Sequence, residues 1–207
     1  YATSFPTLAS RSGQYSCGGD FGGILAAVFG DMNNDGVLDL VTSGRVTSSG
    51  YARCEETLVL LGNGDGSFAD HSINTGPVSS LALGDVNNDD CLDVLIGNGI
   101  TGSGSSLPGE LLLNRCDGSG GTTSSGVSIP ASITASVALA DVDGDKRVDI
   151  LIGAEQGEVD MLLKNSGGLS FVQEAGFPTG GDYTTAIGLA DVDGDGDLEV
   201  LTAGDAT

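Results

Sequence analysis

The sequence predicts an all-β chain of β-propeller-type blades, about three and a half four-stranded repeats in all, and three observations predict it. One acidic phrase occurs four times at near-regular spacing, each copy is flanked by short apolar runs of strand length, and no segment has the period of an amphipathic helix. The copies read LAAVFGDMNNDGVLDLVTSG from Leu25, LALGDVNNDDCLDVLIGNG from Leu81, VALADVDGDKRVDILIGAE from Val137 and IGLADVDGDGDLEVLTAGD from Ile187. Their first loop aspartates, Asp31, Asp85, Asp141 and Asp191, lie 54, 56 and 50 residues apart, enough chain for four short strands.

Residues 1–20 precede the repeats and match none of them; they are read as an N-terminal extension that can donate a strand to a neighbour. The first repeat, about 21–73, opens with an apolar run before the acidic loop and resumes with another after it, which makes a hairpin with an acidic turn. A third strand follows at Leu58 to Leu61, then the glycine turn GNGDGSF and a fourth strand entered at Phe68.

The second repeat, about 74–130, has its post-loop strand at Leu92, Val94, Leu95 and Ile96 and its third strand at Leu111 to Leu113. Its stretches 101–109 and 117–130 are rich in Gly, Ser and Thr and read as exposed loops. The third repeat, about 131–180, places its third strand at Met161 to Leu163 and enters its fourth at Phe171. The fourth, about 181–207, reaches only its second strand, so the set of blades is open or is completed by another chain or by further sequence.

Only 7 Lys+Arg stand against 29 Asp+Glu, a formal charge of -22, which excludes nucleic acid and anionic membrane surfaces as partners because both need a basic patch. A hydrophobic fraction of 39% and a mean hydropathy of +0.12 argue against a disordered acidic tail. No apolar run approaches the roughly 18 to 20 residues of a membrane span. The chain starts at Tyr1, which we read as a mature or partial chain.

Acidity on this scale signals carboxylates gathered for metal ions, and the loops show where. Oxygen-bearing side chains fall at loop positions 1, 3, 5 and 9: Asp31, Asn33, Asp35 and Asp39; Asp85, Asn87, Asp89 and Asp93; Asp141, Asp143, Asp145 and Asp149; Asp191, Asp193, Asp195 and Glu199. So many carboxylates in nine residues repel one another unless a cation neutralises them, and an all-oxygen set selects a hard ion. Calcium fits best, with up to four ions. Position 7, occupied by Val37, Cys91, Arg147 and Asp197, can add a backbone carbonyl, which suits its varied side chains. A single loop of this kind reads equally well as an Asp/Asn/Gly turn. Four in register do not. Position 6 is glycine in the first and fourth loops but Asp90 and Lys146 in the second and third, so those two are expected to be distorted or weaker.

The four cysteines have no zinc spacing, and two disulfides suit an oxidising compartment. Of three connectivities we favour Cys17–Cys54 with Cys91–Cys116, because each pair then lies within one repeat.

The loop D-x-[DN]-x-D-x-x-x-[DE], recurring between the same strands over about 25–207, resembles the FG-GAP and VCBS repeats of integrin α-subunit N-terminal propellers and of many secreted or surface proteins. The resemblance implies calcium bound in a blade hairpin by the sixteen side chains above. The FG of the family name survives only at Phe29 and Gly30, and the GAP element only at Gly153 and Ala154.

No catalytic constellation accompanies this. The one histidine, His71, has no G-x-S-x-G or other nucleophile motif with it, and the paired carboxylates are accounted for by the loops. We therefore expect a secreted or cell-surface protein, not an enzyme, with a structural or adhesive role, self-associating by strand addition into a surface fibril. The alternative is a lectin-like module for carbohydrate or protein, with Tyr15, Tyr51, Phe177 and Tyr183 as stacking platforms, although aromatics in a chain this poor in them also serve as core.

Overall fold

The computed structural model describes residues 20–47, 53–73, 78–98, 108–127, 129–130, 134–154, 159–177 and 183–205. Among these residues every regular element is a β-strand, and the strands form successive antiparallel sheets in chain order. The first sheet comprises β1 (Asp20–Gly30), β2 (Asp39–Thr47), β3 (Arg53–Gly62) and β4 (Phe68–Ile73). The second comprises β5 (Val78–Gly84), β6 (Asp93–Asn98), β7 (Glu110–Asn114) and β8 (Thr122–Ser124). The third comprises β9 (Thr134–Ala140), β10 (Asp149–Ala154), β11 (Met161–Asn165) and β12 (Phe171–Gln173). A two-stranded sheet of β13 (Tyr183–Ala190) and β14 (Glu199–Asp205) follows.

These are three four-stranded blades and a hairpin, the propeller-type blade order expected from the repeats. Two details differ from the sequence reading. The strand β8 lies inside the stretch 117–130 that reads as loop, because Thr122 to Ser124 pair with Asn114 to Leu112 and β-branched threonines suit that edge. The third strand of the first repeat begins at Arg53, well before Leu58, and pairs with β2 from Arg53 to Leu60. The N-terminal extension, apart from Asp20, and most of the loop at 101–109 lie outside the described residues.

The register repeats from sheet to sheet. Gly30 pairs with Asp39, Gly84 with Asp93, Ala140 with Asp149 and Ala190 with Glu199, so each acidic loop is closed by the pair formed between the residue before position 1 and position 9. Each first strand also carries a bulge at one equivalent position, skipping Leu25, Ser79, Ala135 and Thr185. A bulge adds twist, and blades need twist to stack.

The core lies between the sheets. Met32, Val41 and Val59 of the first blade pack with Val78, Val94, Ile96 and Leu112 of the second. On the opposite face Leu95 and Leu111 join Val137, Ile150, Ile152, Met161 and Leu163 of the third. Strand β6 thus has both faces covered, which is why it reads as a continuous apolar run and is buried throughout. Glycine allows the closest approach: a Cβ at Gly97 would sit 2.7 Å from the Thr134 side chain, and one at Gly153 would sit 2.6 Å from that of Thr184.

Candidate metal centres

The four acidic loops fold alike because their side chains act on their own backbone. In the first three, the position-1 carboxylate accepts the N–H groups of positions 5 and 6: Asp31 from Asp35 (3.1 Å) and Gly36 (2.8 Å), Asp85 from Asp89 (3.0 Å) and Asp90 (2.8 Å), Asp141 from Asp145 (3.1 Å) and Lys146 (2.8 Å). In the fourth, Asp191 accepts from Gly194 (2.6 Å) and Gly196 (3.0 Å). Position 5 then accepts the N–H of position 7, at Asp35–Val37 (2.8 Å), Asp89–Cys91 (3.0 Å), Asp145–Arg147 (2.9 Å) and Asp195–Asp197 (3.0 Å). These are Asx turns, and they wind the chain so that alternate side chains face one centre.

Non-glycine residues at position 6 do not distort the second and third loops. Asp90 and Lys146 both take φ 66°, in the same left-handed region as Gly36 and Gly196, and the hydrogen bond from position 6 to position 1 is retained. A side chain there costs strain but leaves the shape intact.

Position 9 ties the loop to the blade. Asp39 accepts the N–H of Met32 (2.7 Å) with one oxygen and that of Gly62, at the end of β3, with the other (2.8 Å). Asp93 does the same with Val86 (3.0 Å) and Asn114 (2.8 Å), and Asp149 with Val142 (3.1 Å) and Asn165 (2.8 Å). All three aspartates are fully buried. Glu199 holds Val192 (2.8 Å) through Oε2.

The electrostatics of this arrangement are unfavourable as they stand. Burial pushes the Asp93 carboxyl up to about 6, against the pull of the Asn114 and Val86 N–H groups, and the neighbouring Asp89 and Asp85 push it further the same way. Asp149 is raised by burial too, with Asp143 and Asp145 adding to it. A cation would reverse both effects.

Ligand atoms of Asp141, Asp143 and Asp149 lie within 4.8 Å of one another, as do those of Asp191, Asp193 and Glu199. In the first two loops position 3 is asparagine: Asn33 Oδ1 accepts the Asp35 N–H (3.2 Å) and Asn87 Oδ1 that of Asp89 (3.1 Å), so the amide oxygen stands where Asp143 and Asp193 place a carboxylate. These all-oxygen sets fit a hard divalent ion. The grouping of Asp89 with Cys91 and Cys116 is of another kind, because the two sulfurs are joined in a disulfide and offer no thiolate.

The Cys91–Cys116 bridge links position 7 of the second loop to the β7–β8 turn, as favoured from the sequence, with Cα atoms 5.8 Å apart. Cys17 and the side chain of Cys54 lie outside the described residues, as does the side chain of His71. At the other position-7 residues, Arg147 turns back on its own loop and pairs with Asp145 while its Nε donates to the Asn165 carbonyl (2.5 Å); Val37 is half-buried and Asp197 exposed.

Sequence reasoning missed the residues that join one loop to the next. Asn114, at the end of β7, donates through Nδ2 to the carbonyls of Met32 (2.8 Å) in the first loop and Leu92 (3.1 Å) in its own. Asn165, at the end of β11, does the same to Val86 (2.9 Å) and Val148 (3.1 Å). Their recurrence one residue after the third-strand apolar run in repeat two, and two after it in repeat three, is the signal that could have found them. In the first repeat the corresponding residue is Gly62.

The fold and loops define a class: a propeller-type repeat chain whose blade hairpins turn through acidic, oxygen-rich loops. Residues 141–202 match the FG-GAP-like repeat family, and they span the third and fourth loops and the strands between them. A comparison with curated proteins finds no match. Among the described residues no helix is long and apolar enough to cross a membrane.

Proposed function

We propose that this chain is an extracellular calcium-binding repeat protein with a structural or adhesive role. The observation that carries the reading is the common geometry of four loops that bring carboxylate and amide oxygens together, with a position-9 acid that is fully buried in the first three. Asp31, Asn33, Asp35 and Asp39 and their counterparts would hold the ions, with the position-7 carbonyls completing the shell. Calcium would supply positive charge among the carboxylates that each loop gathers. The Cys91–Cys116 disulfide supports an oxidising, extracellular setting.

A non-enzymatic role is supported by the use made of the acids, which are engaged by loop backbone. Self-association by strand addition is supported by a groove of about 310 Å3 between the third blade and β14, lined by Val142, Leu162, Lys164, Leu198 and Val200. Its counterparts between the earlier blades are filled by the end of a third strand: Asn165 of β11 bridges Val86 and Val148 one blade earlier, and Asn114 of β7 bridges Met32 and Leu92 two blades earlier.

Calorimetric titration with calcium, together with size-exclusion chromatography and light scattering in calcium and in chelator, tests the proposal. Saturable binding with a rise in melting temperature supports the calcium reading, and no heat with an unchanged melting temperature ends it. A calcium-dependent assembly supports the scaffold, whereas a monomer at high concentration leaves adhesion as the role.

A further inference from the structure

The third loop differs from the other three in its charge. Across positions 1 to 9 the first, second and fourth loops carry three, four and five carboxylates and no basic residue. The third carries four carboxylates with Lys146 and Arg147 between them. The chain has 7 Lys+Arg in all, and a third of these residues, Lys164 of β11, also reaches this loop.

The contacts are specific. Arg147 pairs with Asp145, the position-5 ligand candidate. Lys164 Nζ lies 3.5 Å from Asp143 Oδ2, at position 3, and 3.5 Å from Glu174 Oε2 beyond the loop. In the first two blades the residues matching Lys164 are Leu61 and Leu113, both packed against the apolar core, so the cation is particular to the third blade.

We infer that Lys164 and Arg147 are built-in counter-ions of the third loop, which therefore keeps its shape without a divalent ion and binds calcium more weakly than the other three. The inference rests on the calcium reading for its second half only. A fixed cation beside two ligands neutralises the repulsion that a divalent ion would otherwise relieve, and it repels an arriving ion. A unit charge a few ångströms from a divalent ion in a mostly aqueous setting changes its affinity by roughly tenfold.

Amide exchange resolved by loop, in chelator and in calcium, tests it on the wild-type chain and on Lys164→Gln, with Arg147→Gln as a second variant should the first not fold. In chelator the wild-type third loop should retain protection at Val142 and Lys146 while the equivalent amides of the other loops lose it. In a calcium titration the third loop should gain protection last. Lys164→Gln should make the third loop lose protection in chelator and raise its calcium affinity roughly tenfold. Equal loss of protection in all four wild-type loops overturns the inference, and so does a Lys164→Gln loop that behaves as wild type in both conditions. If calcium binds no loop, the calcium reading falls, and the chelator comparison still decides whether Lys164 holds the third loop.

Discussion

The side-chain amide of Asn165 donates to the Val86 carbonyl at 2.9 Å and to the Val148 carbonyl at 3.1 Å, so one residue fastens the loop of the third blade to the loop of the second. Asn165 is itself 2% exposed, and its backbone N–H is held by Asp149 (2.8 Å). Truncation to alanine strands two carbonyls at a blade interface. Asn165→Ala should cost about 2 kcal/mol in urea unfolding, and Asn114→Ala a similar amount. Asn63→Ala is the control: its amide reaches only the exposed Ser67 hydroxyl, and it should cost less than about 0.5 kcal/mol.

The Cys91–Cys116 bridge closes a loop across the second blade, with a sequence separation of 25. Closing a loop of that size removes about 3 kcal/mol worth of freedom from the unfolded chain. Cys91 also occupies position 7, and its Sγ lies 3.2 Å from the Asn34 Nδ2 of the first loop. Replacing both cysteines with serine should lower stability by about 3 kcal/mol and weaken calcium binding at the second loop more than at the fourth, as read by loop-resolved exchange. Equal calcium affinity at the second loop with and without the bridge would show that position 7 needs no such anchor.

The blades and loops were legible in the sequence because both are written locally. Strand β6 is an unbroken apolar run since both faces are covered, and the Asp/Asn/Gly alternation is what an Asx-turn loop requires. What joins blades was not legible, because it depends on distant pairs. Nothing around Asn114 announces Met32, 82 residues away, and nothing around Ser80 announces that its hydroxyl will accept the Val137 N–H at 3.0 Å. The common bulge at Ser79 and Thr185 was hidden too, since it is set by register and not by residue type. The departures from glycine at position 6 read as a source of distortion, yet Asp90 and Lys146 stay in the left-handed region because two backbone N–H groups of each loop are pinned by position 1.

Removal of calcium should lower stability cooperatively across the first three blades, because each of their loops is tied through position 9 to the third strand of its blade. Binding to the folded state alone contributes about 2.7 kcal/mol per site when the ion is at 100 times its dissociation constant. Asp39→Ala should abolish binding at the first loop and also release the Gly62 and Met32 N–H groups, so it should destabilise the protein even in chelator. Asp31→Ala removes only exposed loop bonds and should act mainly in calcium. Differential scanning of both variants in both conditions separates the two roles, and identical behaviour would mean that position 9 is no more structural than position 1.

The metal-free protein should lose stability as pH rises through about 6, the reverse of most acid-rich proteins. The Asp93 carboxyl is raised from 3.8 to about 6, chiefly by burial, and Asp149 is raised for the same reason. A carboxyl that binds its proton more tightly folded than unfolded stabilises the fold while protonated. That contribution is complete below 3.8, the unfolded value, and is lost as pH climbs through the folded one. Asp65 and Asp117 are lowered, first by the Ser67 and Ser119 hydroxyls, so their contribution changes below 3.8 and not in this window. In chelator, urea unfolding between pH 4.5 and 7.5 should therefore show a falling midpoint, and Asp93→Asn should flatten the fall. In millimolar calcium the ionised carboxylates become ligands, and the same range should show a level or rising midpoint. A midpoint that rises with pH in chelator would mean that Asp93 is ionised in the metal-free fold, and the loops would then be stable without an ion.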